Sequence, residues 1–185
     1  MKSKTIVIVC ILFCNSLMAR QAQQVAKLES PDRSIVLNVS LSVSGEIQYR
    51  IQKAGVNIIE PSALGVMMQG HDFTHGMKLV ITAKPEHITE SYQTKTAKKS
   101  SILYQANQLE LSFVNDEEKK MAIIFRLSND GVAFRYSFPW IKSNETIVKE
   151  FSAFSFDKNA RAWLQPMSEA KTGFEHCHPS YEEHY

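Results

Sequence analysis

The sequence predicts an all-β fold, an antiparallel sandwich, on three observations. Short runs alternate apolar and polar residues at period two, polar or glycine-bearing turns separate them, and beyond residue 19 no window of a dozen residues carries helical periodicity. Each run can be justified in turn. Ile35, Leu37, Val39 and Leu41 alternate with Val36, Asn38 and Ser40; Ser42-Val43-Ser44-Gly45 then breaks the pattern, and Ile47, Tyr49 and Ile51 resume it. Lys53-Ala54-Gly55 turns the chain into Val56 to Ile59, which Pro61, lacking an amide donor, is expected to close. Leu64 to Met68 is apolar, and Gln69 to Gly76 reads as a loop. Lys78 to Ala83, Glu90 to Lys95, Ser101 to Gln105 and Leu109 to Val114 are further strands, followed by the solvated turn Asn115 to Lys120. Met121, Ile123, Phe125 and Leu127 form one stripe of a hairpin whose second arm carries Val132, Phe134, Tyr136 and Phe138. Asp130-Gly131 marks its corner, since glycine reaches positive φ without a Cβ clash. Ile147 to Phe151 and Phe154 to Phe156 complete the set.

The start of the chain has a different character. A basic Met1-Lys2-Ser3-Lys4, an apolar run from Thr5 to Cys14 and a small residue at Ala19 before a polar stretch have the layout of a signal peptide over residues 1–19. The apolar run is too short to span a bilayer comfortably, and neither Cys10 nor Cys14 follows a small residue of the kind lipoprotein cleavage favours. Removing this leader takes away Lys2 and Lys4 and no acid, which leaves 19 bases against 19 acids. A neutral chain lacks the clustered cations that phosphate neutralisation requires, so nucleic acid is excluded as a partner, as is a membrane once the leader is gone. The cut also leaves Cys177 as the one cysteine, so a core must hold the fold without an internal disulfide.

Several residues could carry chemistry. Glu175-His176-Cys177-His178 is dense in metal-ligating types, but no second ligand pair at zinc spacing accompanies it, so exposed loop histidines are the favoured reading. His71 and His75 lie four apart in a glycine-flanked loop rather than on a helix. Glu182 and Glu183 are carboxylates of the kind calcium and glycoside hydrolysis use, yet neighbours on an extended chain point to opposite faces and cannot form a catalytic pair. Trp140, Trp163, Phe174 and Tyr181 could stack on sugar rings where exposed, although most aromatics of a sandwich belong to its core.

The order of three landmarks carries a resemblance. Ser30-Pro31-Asp32 opens the first strand, Pro61-Ser62-Ala63-Leu64-Gly65 follows the third, and Phe125 to Tyr136 reads F-R-L-S-N-D-G-V-A-F-R-Y. Together these resemble the N-terminal domain of glycoside hydrolase family 97 over Glu29 to Tyr185, with Arg33 departing where the family commonly has glycine. The resemblance implies an N-terminal β super-sandwich over residues 20–185, packed in the parent enzymes on a central (β/α)8 barrel that bears most of the catalytic acids. It further implies export to a bacterial periplasm, action on α-glucosides or α-galactosides, and an active-site calcium to which the N-terminal domain gives a glutamate. Glu182 takes that role here, with Glu183 as the alternative. The family's domain is longer than this chain, so the sandwich is expected to be incomplete at its C-terminal end, with no catalytic residues and no activity of its own. A free-standing carbohydrate-binding module and an adhesive sandwich for protein partners are the competing expectations.

Overall fold

The computed structural model describes residues 22–163 apart from 97 and 143. These residues fall in two units, one ending at Ser155 and one beginning at Phe156. The expected leader, the Glu175 to His178 cluster, Glu182 and Glu183 lie outside the described residues.

The first unit is all β among its described residues, and every strand pairing is antiparallel. Strands β1 (Gln23–Glu29), β2 (Ile35–Leu41), β3 (Ile47–Lys53) and β4 (Val56–Leu64) form one sheet in that order. A short sheet orders β12 (Ile147–Glu150), β5 (Val66–Met68) and β6 (His71–Asp72). The third sheet runs β11 (Val132–Ser137), β10 (Lys120–Ser128), β9 (Ser101–Val114) and β7 (Lys78–Thr82), with β8 (Glu86–Gln93) pairing the first half of β9 on the same side as β7.

The predicted stripes become the core. Leu37, Val39, Ile47 and Tyr49 from the first sheet join Leu111, Phe113, Met121, Ile123, Phe125 and Leu127 from the third in one cluster, each at most 1% exposed. Burying a large apolar side chain of this kind contributes roughly 1.5–3 kcal/mol, and the alternation is what lets two sheets supply such side chains to one interior. A turn also joins the sheets. Gly45 at φ 75° brings the β2–β3 corner against the chain entering β7, where Gly76 N–H donates to Ser44 O (2.8 Å) and Met77 N–H to Gly45 O (3.1 Å). A Cβ at Gly45 would collide with the Gly76 and Met77 backbone, so the approach requires glycine.

Several boundaries differ from expectation, each for a physical reason. β1 was not foreseen, because this bulged edge strand buries only Leu28 fully and so lacks an alternating apolar stripe. β9 is one strand of 14 residues rather than two. Its polar centre stays in register because Asn107 Nδ2 donates to Glu29 O (2.8 Å) and Gln108 Oε1 accepts from Arg126. β8 begins at Glu86, and Lys95 belongs to the turn beyond it. β4 runs through Pro61, which sits on the strand at the edge of the four-stranded order, inside a register shift opposite Tyr49 and Ile51 where no ladder donor is needed. The Gln69 to Gly76 loop contains a tight hairpin, with Gly70 at φ 87° between β5 and β6. Of Phe154 to Phe156, Ser155 makes a lone bridge to Glu60 and no strand forms. Gly131 does not take a positive φ, so the Asp130-Gly131 corner is not closed by glycine's freedom. It closes through Ser128, whose N–H donates to Gly131 O (3.0 Å) and whose hydroxyl donates to Asp130 Oδ1 (2.5 Å).

In the second unit, residues 156–163 contain a turn in which Ala160 N–H donates to Asp157 O (2.9 Å) and Asn159 N–H to Asp157 Oδ1 (2.8 Å); Trp163 is exposed.

Candidate functional site

Three chain segments meet around Trp140. The β5–β6 hairpin presents His71, the turn between β9 and β10 presents Glu117 and Lys119, and the segment leaving β11 presents Pro139 and Trp140. The middle turn is built by Asn115, which is buried: its Oδ1 accepts from Glu117 N–H (3.1 Å) and Lys119 N–H (2.9 Å), and its Nδ2 donates to Asp72 O (3.1 Å). One amide thus fixes the turn and ties it to the hairpin that carries His71. Trp140 Nε1 donates to Lys120 O (2.8 Å), which sets the indole plane. His71 Nδ1 lies 2.5 Å from Glu117 Oε2, and its ring meets Trp140 edge-on at 5.0 Å between centroids. Lys119 Nζ stands 5.0 Å over the indole.

The result is a shallow cleft of about 450 Å³ lined by Glu118, Lys119, Lys120, Pro139 and Trp140. An aromatic ring and a proline beside amines and a carboxylate can hold a sugar by stacking and rim hydrogen bonds. Glu118 is the one carboxylate of the lining, so no pair of acids faces across this cleft. Glu117 is committed to His71 and Asp116 to Lys78 (3.1 Å), while Asp72 Oδ1 accepts from both the N–H and the hydroxyl of Thr74. His71 and His75, singled out together in sequence, engage different carboxylates, since His75 Nδ1 lies 3.4 Å from Asp72 Oδ2. Among the described residues no group of three or more histidines, cysteines and acids is placed to hold a metal ion.

A second cleft, of about 370 Å³, lies on the third sheet and is lined by Gln108, Ile124, Arg126, Ala133, Phe134 and Arg135. Arg126 Nε and Nη2 both donate to Gln108 Oε1 (3.1 and 2.9 Å), and Nη1 donates to Glu90 Oε1 (3.3 Å). Sequence inspection did not find these partners because Glu90 and Gln108 lie 36 and 18 residues away, on separate strands.

The hairpin landmark touches each of the other two. Asp32 N–H donates to Asn129 Oδ1 (3.0 Å), joining the Ser-Pro-Asp turn to the corner of the Asn-Asp-Gly hairpin. Gly65 N–H donates to Tyr136 Oη (3.0 Å), joining the Pro-Ser-x-Leu-Gly segment to the end of the same hairpin. Tyr136 Oη also bonds Ser152 Oγ (2.6 Å), and Tyr49 Oη donates to Ala153 O (2.9 Å). Burial raises both phenols above their ordinary range; Tyr49, which also repels Tyr136, is pushed up to about 12. These tyrosines are structural anchors for residues 152 and 153.

Comparison with known proteins agrees with this architecture. The family model for the glycosyl-hydrolase 97 N-terminal domain matches residues 28–185. A protein of Streptomyces bingchenggensis (strain BCW-1), described as a probable retaining alpha-galactosidase, is 29% identical over 123 residues, which cover 66% of this chain and 19% of that protein. The crystal structure of a beta-arabinopyranosidase superposes with a TM-score of 0.79 at 32% identity, over 88% of this chain and 26% of that one. A glycoside hydrolase family 97 enzyme of Pseudoalteromonas sp. strain K8, solved with panose and with acarbose, superposes at 0.65 and 24% identity over 72% of this chain and 20% of its own, a likeness of fold. This chain therefore spans about a fifth to a quarter of the relatives it matches. With a family match that covers most of its residues and three landmarks interlocked in one sandwich, the chain belongs to the glycosyl-hydrolase 97 N-terminal domain family.

Proposed function

We propose that this chain is the non-catalytic N-terminal sandwich portion of an exported family 97 α-glycosidase, a body on which a (β/α)8 barrel packs. The observation that carries this reading is the use of the family landmarks. Ser30, Asp32, Ser62, Gly65, Asn129 and Tyr136 are engaged in turn and strand hydrogen bonds rather than directed into a cleft. Hydrolysis needs two carboxyl groups set across a glycosidic bond, and the lining of the Trp140 cleft carries one, Glu118. Export rests on the leader-like residues 1–19, and calcium contact rests on Glu182, whose role follows from the family resemblance.

The parent substrate class leans to α-galactosides. The relatives of 29% and 32% identity are described as an alpha-galactosidase and a beta-arabinopyranosidase. In the L series a β-arabinopyranoside is an α-D-galactopyranoside without its C6 hydroxymethyl group, so one ring stereochemistry accounts for both descriptions. The Trp140 cleft supports a second component of the reading, weak sugar contact of the kind a carbohydrate-binding module makes.

Purified chain incubated with p-nitrophenyl α-galactoside and α-glucoside should release no nitrophenol above the buffer rate. Turnover that co-purifies with the folded chain overturns the non-catalytic reading. Quenching of tryptophan emission by a galactose-containing oligosaccharide, lost in Trp140→Ala, checks the sugar contact.

A further inference from the structure

Beyond the end of β10, β8 and β9 continue as a two-stranded ribbon that pairs with no third strand among the described residues. β10 pairs β9 only as far as Ala106, whereas β8 and β9 go on pairing each other from Thr89↔Gln105 to Gln93↔Ser101. The ribbon ends in a turn closed by Thr94, whose N–H donates to Ser100 O (2.8 Å) and whose hydroxyl donates to Lys99 O (2.7 Å).

The composition of this ribbon differs from the rest of the chain. The ribbon's one acid, Glu90, lies at its base opposite Tyr104 and is held by Arg126 of β10 (3.3 Å); from Ser91 through Gln105 there is no aspartate or glutamate, while Lys95, Lys98 and Lys99 all fall in the turn and are exposed. Behind them stand apolar side chains. Tyr92 and Ile102 are cross-strand partners and Tyr104 shares their face by alternation; Leu103, opposite Ser91, points to the other face. Leu103 is 65% exposed and Tyr92 47%. A two-stranded ribbon is marginal in water on its own, and apolar residues on both of its faces raise its cost further.

We infer that this ribbon is a peripheral contact with an anionic lipid surface: the lysines meet the headgroups, and Tyr92 and Leu103 settle at the boundary with the acyl chains. The charge is the first argument, because an acid-free trio of lysines is attracted to a negative leaflet that a neutral body does not seek. The second argument is the placement of apolar groups. A glycan asks for a stacking platform on one face, whereas aliphatic and aromatic side chains on both faces of a projecting tip match a medium that surrounds it. The proposed contact is peripheral and departs from the sequence expectation of no membrane partner.

Co-sedimentation with vesicles of phosphatidylcholine, with and without phosphatidylglycerol, tests the inference on the full chain. Binding should be about tenfold tighter or more on the anionic vesicles and should weaken as salt is raised. The triple variant Lys95→Glu/Lys98→Glu/Lys99→Glu should lose that excess, and Tyr92→Ser/Leu103→Ser should reduce binding on the same vesicles without changing the salt dependence. Attachment through the apolar run Thr5 to Cys14 would persist in both variants and on neutral vesicles, so it is read separately. Equal binding of wild type and triple variant to anionic vesicles overturns the inference. So does lysine-dependent capture of a soluble polyanion such as heparin with no vesicle binding. All five positions are exposed, so an unchanged thermal transition confirms that each variant is folded.

Discussion

Arg33 departs from the family's glycine and adopts φ 62°, in the left-handed region that carries a steric penalty for any residue with a Cβ. The turn around it is otherwise well fastened. Ser30 Oγ donates to Asp32 Oδ1 (2.6 Å) and accepts from Ile35 N–H (3.0 Å), and the Ser30 hydroxyl is the first cause that holds the Asp32 carboxyl below its usual range. Arg33→Gly should therefore stabilise the fold by about 0.5–1 kcal/mol in a denaturant titration, strain relief outweighing glycine's added unfolded-state entropy. Tyr49 gives a pH signature. Its phenol is raised from 10.0 to about 12 when folded, so the stability it contributes is fully present below pH 10 and is lost as pH rises towards 12. Thermal melts should show that alkaline decline. Tyr49→Phe should flatten it while costing about 1 kcal/mol at neutral pH for the bond to Ala153 O.

At the scale of elements, residues 147–155 act as one strap along β4 and β5. Phe151 N–H donates to Gly65 O (2.8 Å), Ala153 N–H to Ala63 O (3.0 Å), Ser155 N–H to Ser62 Oγ (2.8 Å) and Glu60 N–H to Ser155 O (2.8 Å). The strap protects an edge that would otherwise present unpaired donors and acceptors. Tyr136 reaches it from the other sheet, so one hydroxyl serves Gly65 and Ser152 together. Tyr136→Phe should strand the Gly65 N–H and cost about 1–3 kcal/mol, with faster amide exchange along residues 151–155 as the local measurement. Alternation could place the strands of this region but not the strap, because residues 151–155 bind through backbone and side-chain donors without an apolar stripe. For the same reason the Trp140 cleft was legible only as separate residues. The indole and His71 were visible in sequence, whereas Glu117 and Lys119 read as a solvated turn until Asn115 fixed its geometry.

For the whole molecule, two sheets share one interior, and loss of a central side chain should be felt globally. Phe125→Ala removes a fully buried ring that packs at 6.1 Å from Phe134, and should cost about 3–5 kcal/mol with all spectroscopic probes shifting together. The sequence by itself determined the all-β class, the inward stripes of β2, β3, β9 and β10, and the family, because period-two burial and short turn motifs are local properties of the chain. Tertiary structure alone decided that the hairpin landmark touches the other two, that β1 and the strap complete the edges, that β9 stays continuous through polar residues, and which carboxylates His71 and His75 engage. Those outcomes depend on partners dozens of residues apart, brought within hydrogen-bonding distance only when the sheets close on their core.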